Sequence, residues 1–421
     1  MAEHPPAPGE PTQPPENPGL AGGIARRFIH SPLSPLLFLA MLALGLLGLV
    51  VTPRQEDPQI SVPMVDLFVQ FPGASAEEVA SLAIDPLQRI MSEIPGVKHV
   101  YSVSMREEGA VTVRFRVGEE IGPSLVKVHD KIQANLHRIP PGVQPPLVKA
   151  KGIDDVPVVT LTLWSETIDD ATLRTLGLNV LQELKRIPDT GEGFVVGGRA
   201  ERVKVEILPE RLSSYGVSPD VVANTIRTGN HKQGVGHVEA DSRHITVYAG
   251  GFLQTAEDVE SLLVGSHQGT PVYIRDVARV TREPEDVSQL VTYYTGPAYV
   301  QTLGDGDGDG AVVQADAVPA VTVAIAKKIG SNGVTVANAV LDTVESLQGR
   351  MIPEAVNVAV TRNYGATANE KVNELVFKLF VATGAVTLLV WVALGLKPAV
   401  VVTLVIPVVI LFTVFAAFLM G

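Results

Sequence analysis

The sharpest chemical pattern in this chain is the run DGDGDGAVVQAD over residues 305–316. Asp305, Asp307 and Asp309 put oxygens at loop positions 1, 3 and 5, Gly310 permits the sharp turn at 6, and Asp316 stands at 12, where Glu is usual. A calcium ion takes six to eight oxygens, so three alternating carboxylates, the Ala311 carbonyl and Asp316 form a candidate Ca²⁺ shell of the weak, extracellular type. Against that reading, position 9 is Val313 and the flanks read as strands rather than helices. The competing reading is a solvated, charged low-complexity insertion between Gly304 and Pro319. His231, His237 and His244 cluster around a Gly-rich hairpin and suggest a metal site, but Gly234 and Gly236 leave their directions undefined and no cysteine supports them, so the reading for them is exposed loop histidines.

The rest of the chain offers no reactive constellation. GxSxG, HExxH, Walker and dinucleotide fingerprints are absent, so no catalytic residue and no covalent chemistry are expected. Zero cysteines fit an oxidising compartment without disulfides and argue against structural zinc. The formal net charge of −12 argues against nucleic acid and anionic lipid as partners of the polar region. The seven Met residues are scattered, so no soft-metal relay is visible.

Three stretches, 35–51, 375–394 and 399–421, are apolar and long enough to cross a bilayer, which needs about 20 such residues. They predict transmembrane segments at 33–52, 375–394 and 399–421, after a Pro-rich disordered tail at 1–32. A cleaved signal peptide is the rival for the first, but Val50, Val51, Thr52 and Pro53 lack the small residues of a cleavage site. Arg26, Arg27 and Lys397 mark cytoplasmic sides, which puts the intervening residues outside the cytoplasm. Lys378, one turn inside the second span, reads as a snorkelling anchor, and Pro407 as a bend in the third.

Between the first two spans the periodicities read as a β-α-β-β-α-β unit. The strand 62–71 leads to a helix with Ser75 as N-cap and Glu78 closing a capping box, with Val79, Leu82, Ala83 and Leu87 on one face and Pro86 a source of kinking. Strands 97–105 and 110–117 are joined by a turn at Glu107, Glu108 and Gly109, then come a helix over 124–138 and a last strand over 156–164. A second copy starts inside that last strand, with a helix over 170–186 and a short strand at 194–196. It resumes with a strand at 318–326, a helix at 334–347 and a strand at 356–361. An inserted domain fills the gap, with a strand 202–208, a helix 218–228 and a Gly-rich hairpin. Phe68, Phe71, Phe115 and Trp164 lie on these strands, where aromatics are mostly core.

Several of these segments together resemble the resistance-nodulation-division efflux permeases. The resemblance rests on PRQEDPQI at 53–60, FPGASAEEV at 71–79, IPGVKHV at 94–100, GATANEKVNEL at 365–375 and LGLKPAVVVTLVIP at 394–407. It implies an α+β membrane protein with three transmembrane helices and a periplasmic porter region of ferredoxin-like, split βαβ subdomains. The first porter subdomain would be 54–155, the second 156–200 with 290–370, and a docking domain at 201–289 would be inserted in the second. The resemblance also implies a multi-pass inner-membrane location with a cytoplasmic N-terminus, a homotrimer, a periplasmic adaptor, an outer-membrane channel and a small-molecule substrate moved outward as protons flow inward.

Two departures qualify the expectation. No acidic residue follows Glu374, so the chain carries no intramembrane carboxylate of the kind that marks a proton path. The chain is therefore expected to be the N-terminal part of a permease, inactive without a second subunit or the remainder of the protein. The alternative is a membrane-tethered periplasmic binding or assembly module without transport. Secondly, the hairpin, taken as 230–244, is short for an arm reaching into a neighbouring protomer.

Overall fold

The computed structural model describes residues 28, 31–55, 62–152, 155–240, 243–296 and 315–420. Its first long element is the apolar helix α1, Leu33–Val51. The chain divides into two units, one holding α1 and the residues from 366 onward, the other residues 57–365.

The larger unit opens with a four-stranded antiparallel sheet in the order β2-β3-β1-β4. Strand β1, Met64–Gln70, alternates burial as period two requires, with Val65, Leu67 and Val69 turned to the core. The capping box forms as read: the Ser75 hydroxyl accepts from the Glu78 N–H at 3.3 Å, and Glu78 Oε2 accepts from the Ser75 N–H at 2.8 Å. Helix α2 then runs in three sections, Ala76–Glu78, a wider π turn Val79–Ile84, and Asp85–Ser92. The π turn replaces the expected kink. The Asp85 N–H reaches back to the Ala80 carbonyl, and Pro86, which has no N–H to donate, falls in the first turn of the last section, where proline is tolerated. The extra residue rotates the face, so Val79, Ala83 and Ile84 are buried while Leu82, expected inside, is 47% exposed.

Strands β2, Val97–Ser104, and β3, Glu108–Phe115, make a hairpin whose turn lies earlier than expected. Glu107 takes the left-handed conformation at φ +66, while Glu108 and Gly109 are already in β3. Gly109 is needed there because a Cβ would lie 2.7 Å from Ile84 Cδ1. Helix α3, Ile121–Ala134, starts one turn before the expected 124, and Ser124 is fully buried inside it. The sheet closes with β4, Leu147–Lys151, paired to β1. The expected closing strand at 156–164 is not part of this sheet.

That segment opens the second sheet instead. Strand β5, Val159–Trp164, helix α4, Asp170–Leu184, and β6, Thr190–Val196, come first. The chain then leaves through β7, Glu201–Ile207, and builds a small module from α5, Pro209–Tyr215, α6, Pro219–Gly229, the long hairpin β8, His231–Ala240, with β9, Arg243–Gly251, helix α7, Ala256–Glu260, the pair β10, Leu263–His267, with β11, Thr270–Tyr273, and helix α8, Ile274–Val277. It returns through β12, Ala278–Pro284, which pairs antiparallel with β7 from Ile207–Ala278 to Glu201–Pro284. The hairpin reaches Gly251, so it is longer than the 230–244 expected from sequence.

Strand β13, Thr292–Tyr293, and β14, Val318–Lys327, resume the second sheet, followed by α9, Gly333–Leu347, and β15, Asn357–Asn363. The path is β13-β14-β5-β15, with β6 also on β14. Val159, Leu161, Leu163, Val321, Val323 and Ile325 face α4 and α9 in one core, each fully buried side chain contributing about 1.5–3 kcal/mol.

In the other unit, α10, Tyr364–Leu394, and α11, Leu396–Met420, are joined at Gly395, φ +90. With α1 they are long and apolar enough to cross a membrane, at mean hydropathies of 2.4, 2.2 and 2.9. Helix α1 lies directly on α11 because its contact residues lack side chains: a Cβ at Gly45 would sit 2.6 Å from Leu411 Cβ, and one at Gly48 2.7 Å from Phe415 Cβ. Thr387 and Thr403 share a hydroxyl contact of 2.9 Å between α10 and α11. Lys378 pairs with Glu374, one turn back, at 2.7 Å. Pro407 lies within α11.

Candidate functional site

Each of the two main sheets of the larger unit has one face on its helices and one face turned away from them. Strand alternation decides what stands on the second face. In the second sheet, β5 sends Leu161 and Leu163 to the helices, so Thr160, Thr162 and Trp164 go the other way. The register then sets rows across that face: Val196, Thr322, Thr162 and Ala359 in one, and Phe194, Ala324, Thr160 and Arg362 in the next. A bulge between Val360 and Arg362 adds Thr361 to this face, where its hydroxyl lies 2.9 Å from that of Thr160 and 3.2 Å from that of Thr162. Thr162 also meets Thr322 at 3.0 Å.

The result is a strip of linked, neutral hydroxyls. On one side Phe194 and Val196 stand 42% and 40% exposed. At one end Trp164 is buried, stacked on Tyr293 with ring centroids 5.1 Å apart, in a small second core with Ala315, Val318, Ala320 and Ala359. The Trp164 indole N–H has no hydrogen-bond partner among the described residues. Such a face can offer dispersion contacts and adaptable hydroxyl bonds to a small amphipathic molecule, with Glu192 and Arg362 as the charged groups at its border.

The corresponding face of the first sheet is charged. Phe68, 41% exposed, shares an apolar row with Val103, Ala110 and Leu147, but the next row holds Asp66, Thr112 and Lys149. Asp66 accepts from the Thr112 hydroxyl at 2.6 Å and lies 3.7 Å from Lys151 Nζ. On the helix side, an apolar cleft of ≈ 260 Å³ opens between α2 and α3, lined by Leu82, Leu87, Ile90, Ile132 and Val143.

Where the chain turns into the inserted module, an ion pair joins Arg199 to Asp170. Arg199 donates from Nε and Nη2 to the Asp170 carboxylate at 2.8–3.1 Å, and its backbone N–H adds a bond of 3.2 Å. The side-chain bonds from Arg199 hold the Asp170 carboxyl below the ordinary aspartate range, against the opposing effect of partial burial. Gly197 and Gly198, at φ +87 and +67, turn the chain into the module; a Cβ at Gly198 would strike the Asp170 carbonyl oxygen and Arg174.

Of the residues singled out from sequence, Phe115 and Trp164 are fully buried, Phe71 packs partly buried against the first core, and Phe68 is exposed. Asp305, Asp307, Asp309 and Ala311 lie outside the described residues; Asp316 is described and exposed, just before β14. His231, His237 and His244 are exposed on the β8–β9 hairpin. The threonine strip was not anticipated. The alternation VTLTLW at 159–164 was its available signal, because two threonines two residues apart must share a face.

Comparison with known proteins accords with this architecture. The profile of the AcrB/AcrD/AcrF family matches residues 24–311 and 300–421. Multidrug resistance protein MdtC of Erwinia amylovora is 28% identical over 367 residues, covering 86% of this chain and 34% of the relative. MdtC of Photorhabdus laumondii is 26% identical over 368 residues, covering 86% and 33%. MdtC of Pantoea ananatis is 28% identical over 376 residues, covering 87% and 34%. The chain thus spans about a third of the length of these relatives. By its matched profile and its three apolar helices, the chain belongs to the AcrB/AcrD/AcrF family of resistance-nodulation-division efflux permeases.

Proposed function

We propose that this chain supplies the outer porter and docking modules, with three membrane spans, of a proton-driven permease that exports small amphipathic molecules from the periplasm or inner membrane. The observation that carries the reading is the neutral threonine strip beside Phe194 and Val196, in a chain of this family. Two sheets built in β-α-β-β-α-β order, the first with its strands in the order β2-β3-β1-β4, support reading both as ferredoxin-like porter subdomains. The module on the β7–β12 ribbon is then the docking domain, and its long hairpin the arm that meets a neighbour in a trimer. A periplasmic adaptor and an outer-membrane channel complete the proposed assembly, with the N-terminus and Lys397 on the cytoplasmic side of the inner membrane.

Proton coupling belongs to residues outside this chain, since no Asp or Glu follows Glu374. Drug susceptibility of an efflux-deficient diderm host tests this. Resistance is expected when the chain is expressed with the product of the reading frame immediately downstream, and not when it is expressed alone. Resistance from the chain alone would overturn the assignment of coupling, and resistance from neither would overturn transport.

Calcium at Asp305, Asp307, Asp309, Ala311 and Asp316 is a separate proposal, supported by loop spacing alone. A Tb³⁺ titration of the chain is expected to give a saturable signal that Asp307→Ala removes; an unchanged signal in that variant rejects the ion.

A further inference from the structure

On the β8–β9 hairpin the register pairs Glu239 with His244 and His237 with Thr246. Residues two apart on a strand share a face, and paired residues share it too, so His237, Glu239 and His244 all stand on one side of the hairpin. His244 lies beside each of the other two. The His237 and His244 rings lie with centroids 4.3 Å apart and planes 36° from parallel, and His244 Nδ1 is 3.7 Å from Glu239 Oε1. The two histidines are diagonal neighbours, whose backbones stand farther apart than directly paired residues, so the rings lean toward each other to meet.

From this juxtaposition we propose that His237, His244 and Glu239 form a cross-strand site for a borderline divalent transition-metal ion of the Zn²⁺, Ni²⁺ or Cu²⁺ class. Two imidazole nitrogens at about 2.0–2.1 Å from a shared tetrahedral ion stand about 3.3 Å from each other. Rings with centroids 4.3 Å apart are near enough for one nitrogen of each to approach that spacing once the side chains rotate. Imidazole and carboxylate are the ligands this class of ion takes when no thiolate is present, and the chain has no cysteine. Three protein ligands leave a coordination position open, filled by water or by a donor from another molecule. Bound there, the ion ties β8 to β9 near the end of β8 at Ala240 and the start of β9 at Arg243. The site is separate from the acidic loop at 305–316, which offers oxygen ligands only.

The test uses the full chain in detergent, titrated with Zn²⁺ in competition with a chromophoric chelator. One saturable site per chain is expected, lost in His237→Ala and in His244→Ala, weakened about tenfold in Glu239→Gln and unchanged in His231→Ala. Equal Zn²⁺ stoichiometry and affinity in the wild-type chain and the His237→Ala/His244→Ala double variant would overturn the proposal. A second measurement needs no variant: Zn²⁺ is expected to shield His237 and His244, and not His231, from diethyl pyrocarbonate, read by peptide mass spectrometry. Uniform modification of all three with Zn²⁺ present would also overturn it.

Discussion

The two main sheets of the larger unit use one strand–helix order to different ends. The first is continuous, and its middle strands β2 and β3 are joined by a turn at Met105, Arg106 and Glu107. In the second, the equivalent strands β6 and β14 are separated by everything from Gly197 to Ala317, including the inserted module. Their free faces differ in the same sense. The first presents Asp66, Lys149 and Lys151, charges that stay hydrated and favour fixed polar partners. The second presents hydroxyls that satisfy one another and is capped at one end by an aromatic pair. A repeat that keeps its fold while changing one face can separate a structural role from a binding one.

The largest effect that distinguishes the two is at Trp164. Its replacement by Ala empties the second core on the free face, and a loss of about 4 kcal/mol is expected in denaturant unfolding followed by far-UV circular dichroism. Phe68→Ala, at an outward position of the first sheet, is expected to cost less than about 1 kcal/mol, since its ring is only partly covered. If the two losses came out equal, the contrast between a covered and an open face would be wrong.

Next in size is the interruption itself. Gly198→Val places a branched side chain at φ +67 against the Asp170 carbonyl and Arg174, and about 3 kcal/mol is expected from strain and crowding together. Proteolysis should then cut first at the junction, near 197–200, and not within the first sheet.

Smaller again is Thr162→Val, which keeps the shape and removes the hydroxyl linking Thr322 to Thr361. About 1 kcal/mol of stability is expected to go, and export in the two-component host assay should change for hydroxyl-dependent substrates while apolar ones are retained. Identical substrate profiles would take the strip out of the binding reading.

The least is a pH effect at the junction. Asp170 is held below the ordinary aspartate value of about 4, so its pairing with Arg199 adds stability above that value and loses it as pH falls through the lower folded-state pKa. Asp170→Asn should therefore melt a few degrees lower than wild type at neutral pH, with the gap closing in acid. A gap that widened in acid would contradict the assignment.

Local signals were legible where they act locally. The Ser75–Glu78 box, the alternation of β1, the helices at 170 and 333 and the apolar spans all appear close to where the residue types put them. Strand β4 was missed because Leu147–Lys151 follows two prolines and carries Lys, Ala and Lys where β-branched residues would signal a strand; pairing with β1 makes it one. The π turn escaped because it answers to Pro86 and to packing at the same time. The threonine strip and the His237–His244 contact are products of register, and no window of sequence contains them: Thr160 and Thr361 are separated by 201 positions.

The ribbon of β7 and β12 has an engineering meaning. Ile207 faces Ala278 at its far end and Glu201 faces Pro284 at its base, so the chain leaves and re-enters side by side. A two-residue Asn-Gly turn in place of 208–277 has the span needed to close such a pair into a hairpin. The inserted module is thus a detachable cassette, removable without redrawing the sheet that carries it.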